Sequence, residues 1–390
     1  MFVQKYIKQL FYVNLLYKLI KVNMKKRAII SIIGLFMAFT AANAQMRVVD
    51  ALDKMPVSAA SVFDASGNMV GFTTNDGVLS EVDQQAYPIT LRCMGYEQLT
   101  IDQPGDKTWE MMPVLYELEE LVVEPVKRTV QKQTFYVREY ISMLSNTDTI
   151  TVLVERMANR FVPISEDARF GGNSSLKKLN SRLYLREKRE NKDSLTVDSD
   201  PQIPSMLSLV GLQQDEIAAP EHFKGEGDQV KTYEKPGKSG VSLLYRQNSH
   251  SFTVVEDMLA GKKEHSKSLW VSKLMGLSMN INQLYTTLGY IANEEGIYQP
   301  ADLMEAGFVM EADAKGKLMR RVFKAENPAV IRIMVELYVV DRDYLSNDEA
   351  REQYKNNNDK IEFLIPDSVP PLNGATKRLV ERAMAEGKRL

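Results

Sequence analysis

The 390-residue sequence has little of what common functional sites are made from. It contains one cysteine, Cys93, and three histidines, which excludes an intramolecular disulfide and a metal site built from several cysteines. After residue 44 no apolar run is long enough to span a membrane as a helix. The first 44 residues hold seven Lys or Arg and no acid, whereas the remainder carries 42 basic and 51 acidic residues. This acidic remainder argues against a nucleic acid as the partner.

The histidines do not fit a zinc site. A zinc carboxypeptidase site needs a His and a Glu three residues apart so that both reach one metal. The residues three positions after His222, His250 and His265 are Gly225, Thr253 and Ser268, and the sequence contains no HExxH motif. The sequence therefore predicts no metal and no cofactor.

Three further catalytic patterns are incomplete. Gly237-Lys238-Ser239 resembles the end of a P-loop, but the Gly that this motif requires earlier is replaced by Thr232. Ser174 to Lys177 fits Ser-x-x-Lys, but no Lys-Thr-Gly accompanies it. Cys93 lies in an alternating strand pattern that predicts a buried apolar side chain. The sequence predicts no enzyme, while a hydrolase with a scattered site stays open.

The N-terminal segment 1–44 has the organisation of a secretory signal peptide. A basic stretch after Met24 precedes the apolar run Ala28 to Phe39, and Ala42-Asn43-Ala44 supplies the small residues for cleavage. We expect translation to start at Met24 and the exported protein to begin at Gln45, after Ala44. Such a protein resides in the periplasm or at the outer membrane.

Residues 45–116 read as short strands separated by turns. Asn75-Asp76-Gly77 is a strong hairpin signal, because Gly tolerates the positive φ of a tight turn. Strands of this length and spacing predict a small β-sandwich, in which Asp76 and Gly77 form a structural turn.

These residues also resemble a known domain. Val48-Val49-Asp50, Met55-Pro56-Val57, Gly71 to Gly77 and Leu91 to Tyr96 are similar to the carboxypeptidase-regulatory-like domain of exported Bacteroidetes proteins. The Asp76-Gly77 turn and Met94-Gly95-Tyr96 are its most specific matches. The resemblance implies a transthyretin-like, seven-stranded sandwich with an accessory role. It also implies an envelope location, without implying peptidase activity.

A linker or connecting strand is predicted over residues 117–128. Its Leu118 to Glu124 segment resembles the strand that leads to the plug of TonB-dependent receptors, but the residues after it are too few for a receptor plug and barrel. An eight-stranded membrane barrel fits by length alone, and the charged stretches argue against it.

The remaining residues, 129–390, predict an α+β domain. Apolar residues at helical spacing favour helices over 148–161 and 269–292, and 182–187 reads as a strand. Runs at 308–311, 318–324 and 330–341 indicate a C-terminal antiparallel meander. Helices are expected over 344–356 and from about Asn373. The expected fold class is thus α+β, with a small N-terminal sandwich and a larger α+β domain.

We therefore expect a secreted, non-enzymatic binding protein of the cell envelope. Its partner is expected to be an envelope protein or a glycan, and its attachment to the outer membrane is peripheral at most. The alternative is a periplasmic carrier of a hydrophobic ligand, in which the meander and helices wrap an apolar cavity. Three Asp-Ser/Thr-apolar triplets resemble the O-glycosylation sequon of Bacteroides-type bacteria, which makes Thr149, Ser194 and Ser368 modification candidates.

Overall fold

Long antiparallel strands dominate the fold. The computed structural model describes residues 46–79, 82–105, 108–114, 128–169, 176–199, 201, 210, 212, 217–219, 229–234, 242–247, 251–259, 264–266, 277–317, 319, 329–356, 363, 365 and 369–389. Twelve of its strands form a single sheet. The neighbours within that sheet pair antiparallel, except for a short parallel contact between its last two strands.

The first part of the chain forms six short strands in two small sheets. They are β1 (Arg47–Asp50), β2 (Ser61–Phe63), β3 (Met69–Phe72), β4 (Ile89–Arg92), β5 (Leu99–Ile101) and β6 (Thr108–Met111). Strands β1 and β6 pair parallel, and the other four pair in the order β3-β2-β4-β5. Their apolar side chains, among them Val48, Val62, Ile89 and Leu91, form a core of their own. We call strands β1–β6 and their turns the sandwich module.

Gly77 ends a tight turn in this module. Its φ is +69°, and its N–H donates to the carbonyl oxygen of Thr74 at 2.9 Å. The Gly77 carbonyl in turn accepts the N–H of Val48 at 2.8 Å. A Cβ at this position would overlap the carbonyl oxygen of Val48. The turn therefore needs glycine both for its φ and for its close approach to β1.

The large sheet begins after residue 128. Its strands are β7 (Val130–Leu144), β8 (Thr149–Pro163), β9 (Lys177–Arg189), β10 (Lys192–Asp198), β12 (Gln229–Glu234), β13 (Ser242–Gln247), β14 (Ser251–Asp257), β15 (Glu264–Ser266), β16 (Leu277–Ile291), β18 (Leu303–Gly316), β19 (Ala329–Leu345) and β20 (Lys388–Arg389). The order across the sheet is β12-β13-β14-β16-β18-β19-β7-β8-β9-β10-β20, and β15 pairs with β16. Strands β11 (Ile217–Ala218) and β17 (Ile297–Tyr298) form a separate pair.

The expected α+β fold class is wrong. The described residues contain twenty strands and two α-helices, so the fold is mainly β. The predicted helix over 148–161 is strand β8, and the predicted helix over 269–292 coincides with strand β16, as far as its residues are described. Strand β8 is buried along nearly its whole length. Burial on both faces removes the apolar–polar alternation that identifies a strand, and the remaining apolar positions imitate a helical spacing.

Both C-terminal helices are confirmed. Helix α1 (Asn347–Lys355) begins with a capping box, in which Ser346 and Glu349 bond each other's backbone N–H. Helix α2 (Gly374–Glu386) begins at the cap residue Asn373, whose side chain accepts the Thr376 N–H at 2.8 Å. The strand expected at 182–187 is also confirmed, within β9.

The meander region is only partly described. Strands β16, β18 and β19 lie side by side and antiparallel. Strand β18 is longer than the run expected at 308–311, since it continues to Gly316. Most of the run expected at 318–324 lies outside the described residues, as do residues 117–127 of the predicted linker and the signal peptide.

Candidate functional site

The two faces of the large sheet carry different side chains. Because side chains alternate along a strand, Phe135 and Val137 of β7 point to one face, while Tyr136 and Tyr140 point to the other. The first face, which we call the apolar face, belongs to the largest buried cluster of the protein. The second, which we call the sandwich face, contacts the sandwich module and helix α2.

The sandwich module packs directly on the sandwich face. Its Phe63, Met69 and Phe72 share a buried cluster with residues of the sheet, and the rings of Phe63 and Tyr140 meet edge to face at 5.4 Å between centroids. The backbone also crosses the boundary, since the Met69 N–H donates to Ser142 Oγ at 3.1 Å. The module is therefore fixed on the sheet by apolar packing and by hydrogen bonds.

A ladder of alternating charges runs across the sandwich face. The register aligns Glu336 of β19, Arg138 of β7, Glu155 of β8 and Arg182 of β9 in one row. Opposite charges face each other at every step, which is the stabilising arrangement for cross-strand pairs. Tyr136, in the adjacent row, donates its hydroxyl to Glu155 Oε1 at 2.6 Å and accepts from Arg138 Nε at 3.1 Å.

The sandwich module adds Arg92 to this ladder. Arg92 and Glu336 form an ion pair at 2.8 Å, and their side chains are 1% and 2% exposed. Burial lowers the pKa of Arg92 and the Glu336 carboxylate raises it, with a net upward shift. Arg92 therefore keeps its charge while buried, and the ion pair fixes the module in register with the sheet.

The segment before helix α2 completes this interface. Arg138 Nη1 donates to the Pro370 carbonyl oxygen at 2.6 Å, and Arg92 Nη1 donates to the Pro371 carbonyl oxygen at 3.0 Å. Because proline has no backbone N–H, the carbonyl oxygen is the only backbone hydrogen-bonding group that each of these residues offers. These two arginines thus join the sandwich module, the sheet and the C-terminal segment.

An open cleft lies beside this interface, between the sandwich module and strands β13, β14, β16 and β18. Part of its empty space is open to solvent. One wall comes from Pro56–Ser58, Cys93–Tyr96 and Pro113 of the sandwich module. We call it the junction cleft.

A single cross-strand row forms the floor of the junction cleft. The register places Arg246, Thr253, Gly289 and Glu305 side by side on four neighbouring strands. Arg246 and Glu305 are three strand spacings apart, so their backbones are separated by about 14 Å. Glu305 is 3% exposed although it lines the cleft.

Glycines in the floor strands and in the wall loop allow close contacts in the cleft. A Cβ on Gly289 would lie 2.7 Å from Glu305 Cγ, so the Glu305 side chain occupies the space left by the glycine. A Cβ on Gly307 would lie 3.0 Å from Met94 Cγ. A Cβ on Gly95, whose φ is +77°, would lie 3.3 Å from Glu305 Oε1. Glycine inside a strand is typical of such close approach.

Arg246 is held by the sandwich module. Its Nη2 contacts Asp50 Oδ2 at 2.8 Å and Asp53 Oδ1 at 2.7 Å, and its Nη1 donates to the hydroxyl of Tyr96. Its guanidinium carbon lies 5.3 Å from the centre of the Tyr96 ring, in the range of a cation–π contact. Two carboxylates on one guanidinium give this group a net charge of −1.

Cys93 lines the same cleft as a protonated thiol. Burial raises its pKa to about 12, and nearby Arg246 only partly opposes this shift. Its Sγ lies 3.5 Å from the carbonyl oxygen of Ser58. A thiol in this state is a poor nucleophile, because the thiolate is the reactive form.

The other residues singled out from the sequence do not meet in one place. Gly77 and Asp76 lie in the turn described above, Thr149 is the half-buried first residue of β8, and Ser194 is half-buried in β10. Lys177 donates to the carbonyl oxygen of Tyr354 at 2.6 Å. The remaining candidates lie outside the described residues or have no described side chain: Ala44, Gln45, Ser174, His222, Gly237, Lys238, Ser239, His250, His265 and Ser368.

Sequence reasoning missed Arg246 and Glu305. Each is an isolated charge in a β-strand, a pattern that alone indicates nothing. The available signal was the pair of glycines within apolar strands, Gly289 and Gly307, because an isolated glycine in a strand marks close approach of another group.

Two further properties concern the described residues. They contain no group of three or more His, Cys, Asp or Glu side chains placed to hold a metal ion. None of their helices has the length and apolar character needed to cross a membrane.

Comparisons with known proteins give little further guidance. No family model matches the chain, and no curated protein matches it. A solved structure described as lipid–protein interactions in lipovitellin aligns with 11% sequence identity and a TM-score of 0.27, over 57% of this chain and 26% of that chain. At this TM-score the likeness carries no argument about fold or function.

Proposed function

We propose that the protein is an exported, non-enzymatic binding protein of the cell envelope that holds its partner in the junction cleft. The signal-peptide pattern supports export, and the resemblance of residues 45–116 to an accessory envelope domain supports the location. The partner proposed is an envelope protein or a glycan, with peripheral attachment to the outer membrane at most.

The observation that carries this proposal is the way the junction cleft is built. Its floor comes from four strands of the large sheet, and its wall comes from the loop that contains Met94-Gly95-Tyr96. That loop is held by the buried Arg92–Glu336 pair and by the Arg246–Tyr96 contact. A concave site supported by rigid elements on both sides is suited to binding with little loss of conformational freedom.

The chemistry of the cleft supports binding over catalysis. Cys93 is protonated, and Nη1 and Nη2 of Arg246 already contact Asp50, Asp53 and Tyr96. The lining otherwise offers hydroxyls, including those of Thr253 and Thr287, and the carboxylate of Glu305. Such groups orient a ligand by hydrogen bonds.

Partner capture from cells tests the proposal. Thr253→Trp fills the floor of the cleft with an indole and should abolish crosslinking to the envelope partner. Thr100→Trp, at an exposed position of β5 outside the cleft lining, should leave crosslinking intact. Equal crosslinking by both variants would place the partner elsewhere, and hydrolysis of a substrate that stops with Thr253→Trp would replace binding by catalysis.

A carrier of a hydrophobic ligand is the second candidate. It is favoured by the breadth of the apolar face, whose cluster extends from Leu183 on β9 to Leu243 on β13 and includes the stacked rings of Phe252 and Tyr298, 4.2 Å apart. Mass spectrometry of an organic extract of the purified protein tests it. A stoichiometric acyl lipid supports the carrier, and its absence argues against it.

A further inference from the structure

We infer that the protein binds the phosphate-bearing surface of an anionic phospholipid membrane through one basic edge of its large sheet. This basic edge consists of the hairpin β9–β10, strand β20 and the exposed side of helix α2. The inference rests on the proposed function and deepens it, because it assigns a surface and a lipid chemistry to the peripheral attachment proposed there. The distribution of charge, the exposed lysines and one exposed methionine support it.

Positive charge is concentrated on the basic edge. Residues 177–198 and 374–389, which contain its strands and its helix, hold twelve Lys or Arg and six Asp or Glu. The rest of residues 45–390 holds thirty Lys or Arg and forty-five Asp or Glu. A local excess of positive charge on an otherwise acidic chain attracts an anionic partner to this edge and not to the remainder of the protein.

The fold brings the two basic segments together at one end of the sheet. Helix α2 packs over β10, since its Leu379 shares a buried cluster with Val197. Directly after the helix, β20 pairs with β10 and places Lys388 opposite Thr196. Lys192 lies four residues before Thr196 on β10, which is about 13 Å along the strand. Both lysines are therefore close enough to contact one anionic surface together.

Arginines already engage several acidic side chains of the basic edge. The pairs, with N–O distances of 2.8, 3.8 and 3.7 Å, are Arg186–Asp193, Arg189–Glu187 and Arg382–Glu386. Three lysines of the edge have no such partner. Lys192, Lys377 and Lys388 are exposed, and none of them forms an ion pair within the part of the chain that the structure describes. Their ammonium groups are available to an external anion.

One cross-strand pair of the hairpin brings two positive charges together. Lys192 lies directly opposite Arg189 in the β9–β10 register, and like charges at opposing positions destabilise a sheet. Asp148 and Glu187 lie 3.8 Å from Arg189 and offset part of its charge. A phosphate group beside both cations offsets the remaining repulsion, since ammonium and guanidinium groups each form charge-assisted hydrogen bonds to phosphate.

An exposed methionine favours a lipid surface over a purely polar polyanion. Met384 is 47% exposed on α2. It follows Lys377 by seven residues, about two helical turns, so both side chains lie on the same side of the helix. A membrane interface accepts an apolar side chain below the headgroups while lysine ammonium groups stay at the phosphates. A sulfated glycan offers no such apolar layer.

Vesicle binding by the chain from Gln45 onward tests this inference. Residues 1–44 are left out because their basic and apolar sequence would itself bind vesicles, and residues 46–390 form a compact unit of their own. The probes are vesicles of phosphatidylglycerol and phosphatidylcholine in equal parts, and vesicles of phosphatidylcholine alone. We expect saturable binding to the anionic vesicles, about tenfold or more tighter than to the neutral ones, which weakens as the salt concentration rises. Equal binding to both vesicles, or to neither, would overturn the inference.

Two triple variants with the same loss of charge locate the surface. The first replaces by Gln the lysines of the basic edge, Lys192, Lys377 and Lys388. The second replaces by Gln three exposed lysines elsewhere, Lys54, Lys315 and Lys355. Because each basic residue at an anionic membrane strengthens binding about fivefold, the first variant should bind about 100-fold more weakly and the second as the wild type does. Equal affinities would show that binding follows net charge, which contradicts the inference.

Two methionine variants distinguish a lipid surface from a polyanion. Met384 and Met112 are equally exposed, at 47%, and Met112 lies in the sandwich module after β6. Met384→Gln should weaken vesicle binding about fivefold and leave binding to heparin, a sulfated glycan, unchanged. Met112→Gln should change neither. Unchanged vesicle binding by Met384→Gln, or tighter binding to heparin than to vesicles, would refute the lipid assignment and indicate a polyanion.

The outcome is separable from that of the proposed function. All the substituted positions are exposed, so these variants should fold as the wild type does. If Thr253→Trp abolishes partner crosslinking while anionic vesicles are not bound, binding in the junction cleft stands and the membrane inference fails. If anionic vesicles are bound but Thr253→Trp leaves crosslinking intact, the basic edge binds lipid and the partner binds outside the cleft.

Discussion

Replacing Arg92 by methionine tests whether the buried ion pair fixes the sandwich module to the sheet. Methionine has a similar length and no charge, so Glu336 is left 2% exposed without its partner from the module. Breaking a buried pair in this way typically costs about 3–5 kcal/mol. Arg138 remains beside Glu336 across the β7–β19 register and supplies part of the compensation. We therefore expect a loss of about 3 kcal/mol in the free energy of unfolding.

Urea unfolding with a matched control measures this loss. Lys54→Met breaks an ion pair of equal length, 2.8 Å, whose side chains are 58% and 51% exposed, and exposed pairs contribute about 1 kcal/mol or less. The double variant Arg92→Met with Glu336→Met removes both buried charges and should be more stable than Arg92→Met alone. If Arg92→Met and Lys54→Met destabilise equally, or if the double variant is the least stable, the ion pair does not have the role assigned to it.

Three other results are expected. Gly77→Val should lower the free energy of unfolding by about 2–4 kcal/mol, through its positive φ and the overlap with Val48. Gly105→Val, where a Cβ meets no atom within 4 Å, should leave the free energy of unfolding nearly unchanged. Equal melting temperatures of the Gly77→Val and Gly105→Val variants would refute the turn geometry. Because its pKa is raised to about 12, Cys93 should be alkylated at pH 8 about 1,000-fold more slowly in the folded than in the unfolded protein. Because folding favours the neutral thiol, Cys93 contributes to the free energy of unfolding at low pH, and this contribution is lost as the pH rises above the ordinary thiol pKa. Fast alkylation of the folded protein at pH 8 would contradict the raised pKa. Gly289→Ala should lower the free energy of unfolding by about 1–3 kcal/mol, since its Cβ meets Glu305 Cγ at 2.7 Å. In calorimetry, adding Glu305→Ala to this variant should cause little further loss, because the clash is then absent.

The sequence predicts the helix starts and the tight turn of this protein well. Ser346 and Asn373 mark the starts of the two helices, because their side chains satisfy backbone N–H groups that the first turn leaves open. Asn75-Asp76-Gly77 marks the tight turn, because glycine alone adopts its φ without strain. Such features depend on residues that are close in the chain.

The long strands could not be identified in the same way. Strand β8 is rich in β-branched residues, but it is covered on both sides, so its polar and apolar residues do not alternate. Arg156 and Glu139 illustrate the problem. Both are charged, and yet they are almost fully buried on the apolar face as a pair 3.2 Å apart. Their burial depends on a partner strand and cannot be read from either strand alone.

The candidate site depends even more on distant residues. Arg246 acquires its two carboxylates from Asp50 and Asp53, about two hundred positions earlier in the chain. Arg92 meets Glu336 across 244 positions. No pattern in a single sequence links such residues, whereas Gly289 and Gly307 inside their strands mark the close approach of Glu305 and Met94.

Site-specific photo-crosslinking in living cells tests the central claim most directly. A photoreactive amino acid at position 253, on the floor of the junction cleft, is compared with one at position 100, the exposed position of β5. A binding function in the cleft predicts a discrete crosslinked envelope partner from position 253 and none from position 100. Crosslinks from position 100 without crosslinks from position 253 would contradict the proposal that the junction cleft is the binding site.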